Sequence, residues 1–163
     1  KLGAEVVGID ASEKNIKIAS LHSKKNKLKI KYLNNSPEQL KLKEKFDVIL
    51  NLEVVEHVDN LDLYLRSCQN LLKKNGLMFT ATLNRTLISY IKAIVGAEYI
   101  LRWLPIGTHD WNKFIKPEEL QNKLLENKFS NKDVKGLEFN PFFSKWKKSE
   151  NLSVNYIICS FKN

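Results

Sequence analysis

Glu53, Glu56 and His57 form the densest group of chemically capable side chains in the sequence. Their i, i+3 and i+4 spacing predicts that one helical turn sets two carboxylates and an imidazole on a single face, where like charges repel unless a cation or a proton is shared. A hard divalent ion resolves that repulsion. Carboxylate oxygens favour magnesium or manganese, and one imidazole is compatible with either and also with zinc. His57 has a second possible role as general base, because imidazole titrates nearest neutrality. The plainer alternative is that the glutamates only favour the positive end of a helix and that His57 is a surface residue. Asp10 ends an apolar run, where a carboxylate can accept hydrogen bonds from the vicinal hydroxyls of a ribose; a helix-capping role is the alternative. Asn35 and Ser36 have the amide and hydroxyl groups to frame an adenine, or they form a plain turn. His109, within Gly107 to Trp111, is a further candidate for the base or for a substrate ligand.

These residues stand where strand-like runs end. Residues 5–9 read as a buried strand that stops at Asp10, and residues 12–21 as a helix with Ser12 as its N-cap. Residues 28–33 alternate as a second strand, 34–37 turn, and 46–52 form the near-continuous apolar run of a central parallel strand. Residues 53–58 are expected to be helical. A long helix over 61–74 sets Leu61, Leu65, Cys68, Leu71 and Leu72 on one face and ends at a left-handed Asn75-Gly76 cap, before a strand over 77–83. Further on, 117–128 reads as a helix with Pro117 at its start, and 134–139 and 152–161 as two strands joined by a polar loop, a hairpin on the sheet edge. Strands alternating with helices imply a parallel, doubly wound α/β sheet with right-handed crossovers. Such sheets bind ligands at the carboxyl ends of their strands, where the candidates lie.

The 163 residues, 43% hydrophobic and 28% charged, make one globular domain and exclude disordered and collagen-like classes. A net charge of +9 points to an anionic partner, but only Arg66, Arg85 and Arg102 are arginines and the lysines are scattered, so nucleic acid is not expected. Cys68 and Cys159 lack disulfide-framework or zinc spacing, which leaves a reducing compartment as the default. Residues 87–104 carry Ile88, Ile91, Ile94, Val95, Tyr99 and Trp103, too apolar for a surface loop, yet Lys92, Glu98 and Arg102 exclude a bilayer span. A helix lying in a membrane interface fits them, with Tyr99 and Trp103 at the boundary; a core-packed or lid helix is the alternative. The first residue is Lys1 and the single methionine is Met78, so an upstream segment or a fragment is expected.

Gly8-Ile9-Asp10-Ala11-Ser12, the run NLEVVEHV over 51–58, TLNRT over 82–86, the segment VGAEYILRWLPIGTHDWNKFIKPEEL over 95–120 and VNYIICS over 154–160 closely resemble the ubiquinone-biosynthesis O-methyltransferases. The resemblance covers nearly the whole chain. It implies the Rossmann-like class I methyltransferase sheet with a terminal antiparallel hairpin, and methyl transfer from S-adenosylmethionine to a ring hydroxyl of a polyprenylated catechol or demethylubiquinol. It also implies that Asp10 and the neighbouring Ala11 hold the cofactor ribose, that Asn35 and Ser36 serve the same cofactor, and that Leu52 lines its pocket. Glu53, Glu56 and His57 match positions implicated in divalent-metal binding, with magnesium or zinc the expected ion. Residues 86–111 become an apolar lid or membrane-interface insertion for the polyprenyl tail. The enzyme is then expected on the inner, cytoplasmic face of an anionic membrane, beside other proteins of the same biosynthesis. The family's first strand and glycine-rich loop are missing from this chain. A truncated, inactive member or scaffold subunit is therefore the alternative expectation.

Overall fold

The computed structural model describes residues 2–103, 105–140 and 145–163. They fall into two compact units, residues 1–44 and 45–163. In the first, β1 (Val6–Asp10) and β2 (Ile30–Asn34) pair in parallel, with Gly8 opposite Tyr32, and α1 (Glu13–Lys25) connects them. Gly8 is needed there, since a Cβ would come within 2.7 Å of the Tyr32 ring. Ser12 starts α1 as expected, its side chain accepting from Asn15 N.

The second unit is a five-stranded sheet in the order β3-β4-β7-β5-β6. β3 (Phe46–Leu52) and β4 (Leu72–Leu83) are parallel, while β7 (Asn155–Lys162) runs antiparallel to both β4 and β5 (Phe129–Asn140). The antiparallel pair expected near the C-terminus is present, but β7 lies inside the sheet. The edge is β6 (Lys145–Ser149), which pairs with β5 where a polar loop was expected. The sequence KWKKS hides this strand because its residues are mostly exposed and so show no apolar alternation.

α2 (Leu61–Leu71) and α4 (Pro117–Glu126) pack together beside the sheet, joined by Lys123 and Asn127, which both bond Asp62 at 3.0 Å. Leu65 and Cys68 of α2, Leu120 and Leu124 of α4, Met78 of β4 and Tyr156 and Ile158 of β7 form the main core. Each such aliphatic side chain contributes about 1.5–3 kcal/mol by burial. α2 ends three residues earlier than expected. Leu72 turns extended, pairs with Phe46, and leaves its carbonyl and that of Gln69 to Lys162 Nζ, at 3.0 and 2.8 Å. Asn75 does adopt a left-handed φ of +60°, inside the irregular start of β4 rather than as a helix cap.

The apolar stretch is not an ordinary α-helix. A three-residue turn, α3 (Leu87–Ser89), capped by Thr86, leads into a π-helix over Tyr90–Ile100 that closes with Leu101 N donating to Gly96 O at 2.8 Å. Such winding is rare and concentrates at functional sites. Leu104, the last residue of the expected stretch, lies outside the described residues.

Candidate functional site

In the smaller unit, the carboxyl ends of β1 and β2 hold one cluster. Asp10 Oδ1 accepts from Ser12 N at 2.7 Å and Oδ2 from Asn15 Nδ2 at 3.2 Å. Asn34 Nδ2 donates to the carbonyls of Asp10 and Ala11 at 3.0 and 2.9 Å, and Asn35 N donates to Asp10 O at 3.1 Å. Ser36 N donates to Asn35 Oδ1 at 2.8 Å, an Asx-type turn. Asp10, Ala11, Asn35 and Ser36 are thus brought together as a braced loop pair. Asp10 takes part in the helix start, yet each of its carboxylate oxygens keeps a lone pair, the requirement for accepting a ribose hydroxyl. These acceptor oxygens therefore fit the sugar hydroxyls of a nucleoside.

In the larger unit, Leu52 ends β3 with Val48 and Leu50 exposed along the same strand. Glu53 follows at φ +54°, a left-handed conformation uncommon outside glycine and asparagine, and its N–H is held by Ala81 O at 3.0 Å. Backbone strain of this kind, about 1–2 kcal/mol, collects at functional sites. The residues after it form only a short 3-10 turn, Val55–His57. The expected single helical face is consequently not formed. Glu56 turns inward, 4% exposed, and its Oε2 accepts from Thr82 Oγ1 at 2.8 Å. His57 turns outward and is exposed.

Glu53 and Glu56 nevertheless meet. Desolvation of the Glu53 carboxyl, then the influence of Glu56 beside it, push its pKa up to about 8, which favours a proton held on the pair near neutrality. Glu56 Oε1 is buried and has no hydrogen-bond partner, which leaves it open to a proton. A metal would need a third donor. Among the described residues no group of three or more His, Cys, Asp or Glu is placed to hold an ion, because His57 points away. The arrangement as it stands fits a shared proton and does not fit a metal centre.

Tertiary packing adds groups that spacing did not single out. Asn51, 3% exposed, accepts from Tyr64 Oη at 2.7 Å. Burial first, then the charges of Glu56, Glu119 and Glu53, hold the Tyr156 phenol above its usual range, so it remains a donor, to Ile115 O at 2.8 Å. Arg85 pairs with Glu119, and Trp111 Nε1 donates to Thr86 O at 3.1 Å while its ring meets Tyr90 edge-on. His109 and Glu98 pair at 2.8 Å beside this loop. Glu98 carried a signal in the sequence as a lone acid within an apolar run. Around it, Leu87, Ile91, Ile100, Leu101, Trp103 and Ile106 are all exposed. Among the described residues no helix is long and apolar enough to cross a membrane.

Residues 1–80 match the methyltransferase domain family. A solved S-adenosylmethionine-dependent methyltransferase from Thermotoga maritima superposes with a TM-score of 0.68 at 19% identity, covering 97% of this chain and 73% of that one. Magnesium protoporphyrin IX methyltransferase from Synechocystis PCC 6803, solved with bound S-adenosylhomocysteine, superposes at 0.66 with 17% identity, over 99% of this chain and 65% of that one. Both show the class I methyltransferase fold. The ubiquinone biosynthesis O-methyltransferase of Pelagibacter ubique is 60% identical over 163 residues, which is 100% of this chain and 68% of that protein. That of Bradyrhizobium diazoefficiens is 47% identical over 158 residues, 97% of this chain and 62% of that protein. The chain thus spans about two thirds of the length of these relatives. With identity of this level along its full length, a class I methyltransferase fold, and an acidic residue at the end of β1, the chain belongs to the ubiquinone biosynthesis O-methyltransferase family.

Proposed function

We propose that the protein transfers a methyl group from S-adenosylmethionine to a ring hydroxyl of a polyprenylated catechol or demethylubiquinol during ubiquinone biosynthesis. The observation that carries this reading is the 60% identity to the Pelagibacter ubique ubiquinone biosynthesis O-methyltransferase over all 163 residues of this chain. S-adenosylmethionine supplies an electrophilic methyl group on a sulfonium sulfur. The chain's own contributions are to hold, align and dehydrate. Asp10 binds the ribose hydroxyls through its free lone pairs, Ala11 lets the sugar approach closely, and Asn35 and Ser36 face the adenine. Leu52 supplies apolar lining at the end of β3. Proximity and in-line alignment lower the barrier most for a displacement of this type.

The exposed apolar side chains of Leu87, Ile91, Ile100, Leu101, Trp103 and Ile106 support a peripheral place on the inner face of an anionic membrane, from which a polyprenyl tail enters without crossing water. Exposed Lys92 and Arg102 flank them and suit anionic headgroups. A divalent cation belongs to this reading only if His57 swings onto the Glu53–Glu56 pair. Calorimetry decides it: saturable one-to-one heat with magnesium or zinc, abolished by Glu56→Gln, establishes the cation.

Methyl transfer from labelled S-adenosylmethionine to a short-chain prenylated catechol tests the whole proposal. Label is expected in the methyl ether of the catechol. Tight binding of S-adenosylhomocysteine without label transfer to any catechol or demethylubiquinol would refute the substrate assignment.

A further inference from the structure

Glu98 interrupts an apolar stretch, and the fold leaves only 1% of its surface exposed. A carboxylate so placed is costly unless donors meet its oxygens. Gly107 N donates to Oε2 at 2.7 Å, His109 N donates to Oε1 at 2.9 Å, and His109 Nδ1 lies 2.8 Å from the same oxygen. Gly107 makes its bond at φ +84°, a conformation that a side chain would strain. Burial alone would raise the Glu98 carboxyl, but the bonds from Gly107 and His109 outweigh it and hold the group below its ordinary value. An ionised Glu98 only accepts. The hydrogen therefore sits on His109 Nδ1, and a neutral His109 carries its lone pair on Nε2.

The loop returns this imidazole to the sheet. Its ring meets Phe114 edge-on with centroids 5.9 Å apart, and Phe114 packs against Leu83 and Ile94. Ile115 N then bonds Leu83 O at 3.3 Å. His109 is fixed near the carboxyl end of β4, the end at which sheets of this class hold their ligands. Beside Glu98, the residues Arg102, Trp103, Pro105 and Ile106 line an open, mostly apolar groove of about 410 Å³. Among the described residues, the charged groups set nearest the imidazole are Glu98 from the π-helix, which shares its groove with Arg102, and Asp110 on the same loop, whose carboxylate is engaged by Asn112 N at 3.0 Å. A latch for the loop would need only the two backbone donors. The imidazole adds nothing to that task, whereas a carboxylate-oriented imidazole is the arrangement used to accept a proton.

Resting on the methyltransferase reading above, we infer that His109 Nε2 takes the proton from the phenol that attacks the methyl group, with Glu98 as its positioning residue. The phenolic O–H bond breaks and its proton passes to Nε2. The oxygen's electron pair forms the bond to the methyl carbon as the carbon–sulfur bond breaks with its pair left on sulfur. The products are the methyl ether, S-adenosylhomocysteine and an imidazolium stabilised by Glu98, which returns its proton to water. His57, by contrast, is exposed, and among the described residues no hydrogen bond or ion pair fixes its ring.

The test uses the full-length protein and two short-chain prenylated catechols, one unsubstituted and one carrying a nitro group that makes its phenol far more acidic. His109→Asn keeps a donor toward Glu98 and removes Nε2. It should lower kcat/KM for the ordinary catechol by about 10²–10⁴-fold, and for the nitrocatechol by less than about tenfold, because that substrate arrives already ionised. Glu98→Gln should show the same contrast at smaller amplitude and serves if the first variant does not fold; unchanged affinity for S-adenosylhomocysteine certifies either as folded. Equal losses on both catechols would overturn the inference and leave methyl transfer standing. Wild-type protein that methylates neither catechol would overturn the underlying reading, and this inference with it.

Discussion

Replacing Glu53 by Gln removes one member of the carboxyl pair while preserving its size, and it should flatten the dependence of stability on pH. The folded-state pKa of Glu53 is raised from 4.5 to about 8 by burial of the carboxyl and by Glu56. Between those values the folded chain keeps a proton that the unfolded chain has released. The stability contribution is therefore fully present below pH 4.5 and is lost as pH rises toward 8. At about 1.4 kcal/mol per pH unit, the unscreened loss approaches ~5 kcal/mol. The carboxyl is desolvated by its neighbours, but Glu53 as a whole residue is exposed, and solvent screening reduces this to on the order of 1–2 kcal/mol. Urea unfolding at pH 5, 6, 7 and 8 measures it. The wild type should lose about 1–2 kcal/mol across that series, while Glu53→Gln stays level and is the more stable protein at pH 8. Titrating groups elsewhere cancel in the difference. Parallel slopes for the two proteins would mean that the carboxyls do not share a proton, and the reasoning from their burial would fail.

Asp10→Ala should weaken S-adenosylhomocysteine binding at least tenfold, since each hydrogen bond to a charged acceptor is worth about 1.5–3 kcal/mol; unchanged calorimetric affinity removes Asp10 from the site. Leu65→Ala, at a side chain with no exposed surface, should destabilise by about 2–5 kcal/mol in urea unfolding, and a smaller loss would show that the core collapses around the vacancy. The double substitution Ile100→Asp, Trp103→Asp should abolish co-sedimentation with phosphatidylglycerol vesicles while leaving S-adenosylhomocysteine binding intact. Retained vesicle binding would move the membrane contact elsewhere.

The strand ends were legible because strands announce themselves by apolar runs and stop at polar residues. Asp10 at the end of β1, Leu52 at the end of β3 and Asn84 after β4 all lie where the pattern put them. β6 was not legible, since an exposed edge strand needs no apolar face and KWKKS has the composition of a loop. The end of α2 was misplaced for a different reason. A left-handed Asn75 is a good local cap, but pairing of Leu72 with Phe46 extends the chain before the helix reaches it. Winding of residues 90–100 as a π-helix likewise leaves no mark in an apolar periodicity that other helices share.

The sequence by itself determined the class of fold, the family, and which side chains have the chemistry for methyl transfer. Those depend on residue type and short-range order. Whether Glu53, Glu56 and His57 act together depended on the backbone between them, and a left-handed φ at Glu53 followed by a single 3-10 turn sends the histidine outward and joins the two carboxyls. The pairing of Glu98 with His109 likewise required a π-helix and a glycine at positive φ to bring residues 11 positions apart within 2.8 Å. Spacing can nominate groups on one regular element. Only the tertiary fold decides which carboxylate an imidazole meets when an irregular turn stands between them, because a few backbone angles there redirect every side chain beyond.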